Sequence, residues 1–118
     1  MNKDNRQADD SPVTLINVFE VPAERVDAFI DGWRERATLM STKPGFLDTR
    51  LHRALSSQSR FQLVNVARWE SREVFEAATA DVGFQERIGA ATTAPRVPVS
   101  ANPGQYEVVA WYGDRRQP

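Results

Sequence analysis

"RFQLVNVARWES", residues 60–71, alternates with the period of a strand. Every second residue places Phe61, Leu63, Asn65, Ala67 and Trp69 on one face, and Gln62, Val64, Val66, Arg68 and Glu70 on the other. The first set is the more apolar and is expected to face the core, yet a carboxamide sits at its centre. Either Asn65 is a core amide bonded for structural reasons, or this face lines a pocket and Asn65 is aimed at a ligand.

Upstream, "FLDTRLHRAL" (46–55) reads as a partner strand, with "KPG" (43–45) as the turn before it and "SSQS" (56–59) as a loop of hairpin length. Downstream, Ser71 suits the N-cap of a helix over about 72–80 that buries Val74, Phe75 and Ala78. Asp81 is placed to cap a further short helix carrying Phe84 and Ile88. Further out, "PVTLINVFEV" (12–21) is apolar on both faces, the mark of a strand covered on both sides. Pro22 opens a helix that runs to about Met40, with Val26, Phe29, Ile30, Trp33, Ala37 and Met40 in one stripe. Trp33 is therefore expected in the core. "AATTAPRVPVSANPG" (90–104) is a Pro-rich loop, and "QYEVVAWYG" (105–113) is the last strand.

The order β-α-β-β-α-β predicts an α+β, ferredoxin-like fold: a four-stranded antiparallel sheet with the helices on one face. One domain over 12–113 is expected, between a disordered tail at 1–11 and a short C-terminal tail at 114–118. The second sheet face is too apolar to be left wet, which predicts a homodimer packed sheet against sheet, with core or cavity between the sheets.

Composition narrows the function. Lys+Arg is 15 against Asp+Glu 16, with the charges scattered, so neither nucleic acid nor an anionic membrane is an expected partner. No cysteine is present, which removes thiolate chemistry and Cys-based metal sites, and one histidine, His52, is too few for a His-rich one. The N-terminus lacks a signal-like apolar run and nothing approaches the ~20 apolar residues of a bilayer span, so a soluble cytoplasmic protein is expected.

A four-residue hairpin loop places Arg50 opposite Asn65, His52 opposite Leu63 and Phe46 opposite Trp69, all on one face. Asn17, mid-strand in an apolar run, can join them from the first strand. Apolar walls with two carboxamides, an indole, an imidazole and a guanidinium suit a flat, oxygen-bearing molecule. The blander reading stands beside it: Asn65 bonded to a neighbouring loop, Arg50 paired with Asp48 or a Glu at the rim, and His52 a surface or satisfied core group.

"PVTLINVFEVPAE", "KPGF", "LVNVARWES" and the following "VF" resemble the antibiotic biosynthesis monooxygenase family of dimeric α+β barrels over about residues 12–88. The Asn-x-Ala-x-Trp-x-Ser pattern after a hairpin is similar to its branch of cofactor-independent anthrone oxygenases. That resemblance implies active-site roles for Asn65, Trp69 and Asn17. It also implies one for His52, which some members match near the end of the second strand. Phe75 stands where some members carry a tyrosine. A sister branch degrades haem; Asn17 and Trp69 fit it as well, but Ile88 lies about where its iron-ligating histidine belongs.

The expected function is thus a cofactor-free monooxygenase that oxidises an anthrone-like or other electron-rich polycyclic phenol to a quinone with O2, in a secondary-metabolite pathway. Asn65, Trp69 and Asn17 would donate to the enolate oxygen and His52 would accept the proton, with Arg50, Phe46, Leu63 and Phe75 holding the substrate. The alternative is a non-catalytic dimeric protein of the same fold that binds a small molecule or haem.

Overall fold

The first strand takes the centre of the sheet because it is apolar on both faces. β1 (Val13–Glu20) pairs antiparallel with β3 (Leu63–Trp69) on one side and β4 (Ser100–Tyr106) on the other, and β2 (Phe46–Arg53) pairs antiparallel with β3. The order β2-β3-β1-β4 is the ferredoxin-like sheet expected from the sequence. These elements come from a computed structural model that describes residues 11–91 and 97–113, with the backbone alone for 87–91. The expected tails, apart from Ser11, and the Ile88 side chain lie outside the described residues.

A 3-10 turn (Ala23–Arg25) follows Pro22 and leads into α1 (Val26–Met40), which buries Val26, Phe29 and Gly32. α2 (Arg72–Ala80) starts as its sequence dictates: the Ser71 hydroxyl oxygen accepts from the Val74 N–H at 3.2 Å. Asp81 does the same for α3 (Val82–Ala91), its Oδ1 accepting from the Phe84 N–H at 3.0 Å. Lys43 ties the turn before β2 to this junction, donating to Asp81 at 3.0 Å with its ammonium 4.4 Å from the Phe84 ring centroid.

The core divides in two. One cluster gathers Val13, Ala67, Trp69, Phe75 and Ala78; the other gathers Phe19, Val21, Val26, Phe29 and Leu63. Trp69 and Leu63 are the most deeply buried side chains, and burying either contributes about 2–3 kcal/mol. Both clusters draw their sheet residues from one face of β1 and β3.

Two expectations change. The β2–β3 connection is longer than four residues: the Ala54 N–H donates to the Gln62 carbonyl at 2.8 Å, and buried Gln62 holds the loop through Nε2, which donates to the carbonyls of Ser56 (3.0 Å) and Ser59 (2.7 Å). The register therefore moves by one residue. Asn65 faces Leu51, while Arg50 and His52 face Val66 and Val64 on the opposite side of the sheet. An irregularity at Leu47 absorbs the extra residue and brings Phe46 back opposite Trp69. Phe61 is left outside β3 and 38% exposed.

The last strand is also displaced. Ser100–Tyr106 lies largely within the expected loop, and the stronger strand former beyond it has no partner among the described residues. β1 is the reason: Thr14 already faces Tyr106, so the sheet has little strand left for residues 107–112 to pair with. An edge position tolerates the proline and polar side chains of "SANPGQY".

The far face of the sheet carries Ile16, Val18, Val64 and Val66 at its centre, all half-buried, with His52 and Arg50 exposed beside them. Arg68 and Asp48 pair across strands by two hydrogen bonds of 2.9 and 2.5 Å, and the Arg68 guanidinium holds the Asp48 carboxyl below its usual value.

Candidate active site

A cavity of about 400 Å³ lies between the sheet and the helices, within the range of small-molecule pockets (about 300–1,000 Å³). Members of both core clusters form its walls, Phe19 and Phe29 from one and Trp69 and Phe75 from the other. The cavity is thus on the helical side of the sheet, not between two sheets.

Asn17 and Asn65 are direct cross-strand partners on β1 and β3, and both line this cavity. Cross-strand partners have Cβ atoms about 4.5–5.5 Å apart, so the two carboxamides stand side by side. Each has its oxygen occupied. The Asn65 Oδ1 accepts from the Thr49 hydroxyl at 2.5 Å, and the Asn17 Oδ1 accepts from the Asn102 N–H at 3.0 Å. Asn102 in turn donates through its own side chain to the Val18 carbonyl at 2.9 Å, so Asn17 also helps hold the edge strand. Among the described residues nothing accepts from either Nδ2, which leaves two N–H donor groups at the cavity wall.

Trp69 completes the donor set. It is 1% exposed, with the Phe46 ring edge-on at 5.2 Å and the Phe75 ring at 5.5 Å. Its indole N–H has no acceptor among the described residues, although a buried indole usually finds one and leaving it unpaired costs about 1–3 kcal/mol. A ligand oxygen would remove that cost.

The structure sorts the expected site residues into three groups. Asn17, Asn65, Trp69, Phe46 and Phe75 come together around the cavity. Leu63 is fully buried in the second cluster and does not line it. Arg50 and His52 are corrected outright: the register puts both on the opposite, exposed face. No carboxylate or imidazole lines the cavity among the described residues. Trp33, expected in the core, is half-buried and forms part of the wall.

Two participants were not foreseen. Thr49 reaches the cavity side only in the observed register, one residue away from the expected one. Arg36 is the one charged side chain that lines the cavity among the described residues, and its signal was legible: it lies three residues after Trp33 and four before Met40, inside the apolar stripe of α1. Burial pulls the Arg36 guanidinium below its usual pKa, and neighbouring Glu35 opposes this more weakly.

The sequence profile of the antibiotic biosynthesis monooxygenase family matches residues 12–88. Over 66 residues the chain is 36% identical to a haem oxygenase (mycobilin-producing) of Mycobacterium tuberculosis; the match spans 56% of this chain and 61% of that relative's length. A candidate monooxygenase from Shewanella loihica has a solved structure 34% identical to this chain, with a TM-score of 0.72 over 86% of this chain and 97% of its own. The haem-degrader MhuD from Mycobacterium tuberculosis, solved with two haems in its active site, is 30% identical with a TM-score of 0.67, over 86% of this chain and 99% of its own. SnoaB, a cofactor-independent oxygenase from Streptomyces nogalater, shares the fold at 24% identity and a TM-score of 0.63, over 88% of this chain and 99% of its own.

Proposed function

This chain belongs to the antibiotic biosynthesis monooxygenase family, and we propose that it oxidises an electron-rich polycyclic phenol of the anthrone type to a quinone with O2, without a resident cofactor. The observation that carries this reading is the set of N–H donors at one cavity, on Asn17, Asn65 and Trp69, with no acceptor for them among the described residues. Such a set suits an oxygen on which negative charge develops.

In an anthrone, the methylene between two rings is acidified by conjugation to the carbonyl. Loss of its proton gives an enolate whose oxygen the three donors would hold, each lowering the barrier by about 3 kcal/mol where the contact forms only in the transition state. The enolate passes one electron to O2, the two radicals combine at carbon, and the peroxide loses water. One oxygen atom ends in the quinone and the other in water. Because the described cavity walls offer no base and His52 faces away, the proton leaves to water. The aromatic walls hold the rings.

The test is dithranol incubated with protein freed of metal by chelation, following O2 uptake and quinone absorbance. Turnover well above the buffer rate supports the reading. Tight binding without turnover would favour a binding protein.

A haem ligand is the second reading, favoured by the 36% identity to a haem oxygenase. Against it, no imidazole is found among the described cavity walls. Haemin titration decides: stoichiometric uptake with a strong Soret band would put this reading first.

The working unit we propose is a homodimer. The far sheet face is apolar at Ile16, Val18, Val64 and Val66, and the segment after β4 leaves Val108, Val109 and Trp111 65%, 86% and 46% exposed. A second copy of this chain offers both surfaces a match.

A further inference from the structure

Among the described residues Arg36 is the one charge on an otherwise neutral cavity wall. It projects from α1 on the same stripe as Phe29, Trp33 and Met40, and its guanidinium carbon lies 5.5 Å from the Phe29 ring centroid. That distance is within cation–π reach, and a guanidinium has further N–H donors to offer a partner. Among the described residues no carboxylate forms an ion pair with it and no oxygen accepts from it.

Placing a guanidinium half-buried on an apolar wall carries a desolvation cost that a solvent-facing lysine or glutamine would avoid. Its neighbour Glu35 attracts the charge, but too weakly to offset the effect of burial. Neutral phenol and carbonyl oxygens are already served by Asn17, Asn65 and Trp69. What the cavity otherwise lacks is a group for a full negative charge, and a guanidinium meets a carboxylate with two parallel N–H donors.

We propose that Arg36 anchors an ionised carboxylate on the ligand, so that the substrate is a planar aromatic acid and not a neutral polycycle. This rests on the reading of the cavity as a substrate site and adds the substrate class. Arg36 is a specificity-determining residue, separate from the donors at the reacting carbonyl.

The test is equilibrium binding, read by quenching of tryptophan fluorescence, so that its outcome does not depend on turnover. The probes are anthraquinone-2-carboxylate and its neutral isostere anthraquinone-2-carboxamide, with protoporphyrin IX and its dimethyl ester as a second pair. Wild type should favour the acid of at least one pair by about tenfold or more, as a charge-assisted contact at a half-exposed site gives. Arg36→Gln should abolish that preference while keeping amide or ester affinity, and Arg36→Lys should keep part of it. The pair that shows the effect identifies the scaffold: a preference confined to the porphyrins supports the anchor and removes the anthrone reading. Equal affinity for acid and neutral probe in wild type, no binding of any probe, or an undiminished preference in a folded Arg36→Gln protein overturns the proposal. Failure of dithranol turnover alone leaves this result standing.

Discussion

At the scale of single residues, the informative side chains are those with a polar atom left over. Asn65 has its oxygen bonded to Thr49, and among the described residues neither its nitrogen nor the indole N–H of buried Trp69 has an acceptor. Asn65→Ala and Trp69→Phe are each expected to lower dithranol turnover by about 10²-fold. The double variant should lose less than the product, because both donors serve one oxygen. Circular dichroism should show all three folded, since Trp69→Phe keeps an aromatic ring between Phe46 and Phe75. Wild-type turnover in folded Asn65→Ala and Trp69→Phe proteins would return these residues to packing. His52→Ala is expected to leave turnover unchanged, because the side chain is on the other face of the sheet. A loss of turnover of about tenfold or more in the folded variant would reverse that placement.

At the scale of elements, the cavity depends on how β2 enters the sheet. Gly45 makes that entry with φ +87°, and a Cβ there would run into the Val74 side chain of α2. Its carbonyl also accepts from the Glu70 N–H at 2.8 Å, so the turn is fastened to the end of β3. Gly45→Ala combines left-handed strain with a clash against a branched side chain. Thermal unfolding should show a loss of about 1–3 kcal/mol. An unchanged melting temperature would show that the turn relaxes without cost. The edge strand β4 is held differently, by the Asn17 and Asn102 side chains. Asn17 therefore serves stability and the cavity at once, and makes a poor probe of either alone.

For the whole molecule, the question is what covers the far sheet face and the segment beyond Tyr106. Light scattering at micromolar concentration is expected to give about twice the chain mass of 13.3 kDa. Val64→Asp with Val66→Asp should shift it toward the single-chain value, since these side chains lie outside both core clusters and the change acts on the uncovered face. A wild-type mass of one chain would remove the dimer and leave the apolar face for a different partner.

Periodicity alone determined the element order, the ferredoxin-like topology, the caps at Ser71 and Asp81, and the face shared by Asn65 and Trp69, because those follow from local repeats and backbone chemistry. Pairing decided the rest. The buried Gln62 fastens a longer loop and moves the β2 register by one residue, which exchanges Arg50 and His52 for Thr49 and Leu51 on the cavity side. Strand propensity favoured 105–113 for the last strand, but β1 offers its pairing positions to Ser100–Tyr106. Register and edge pairing are contacts between distant segments, so their energies are absent from any local window of sequence. The cavity exists for the same reason: two apolar clusters, each readable as core, pack around a pair of amides that only the fold brings side by side.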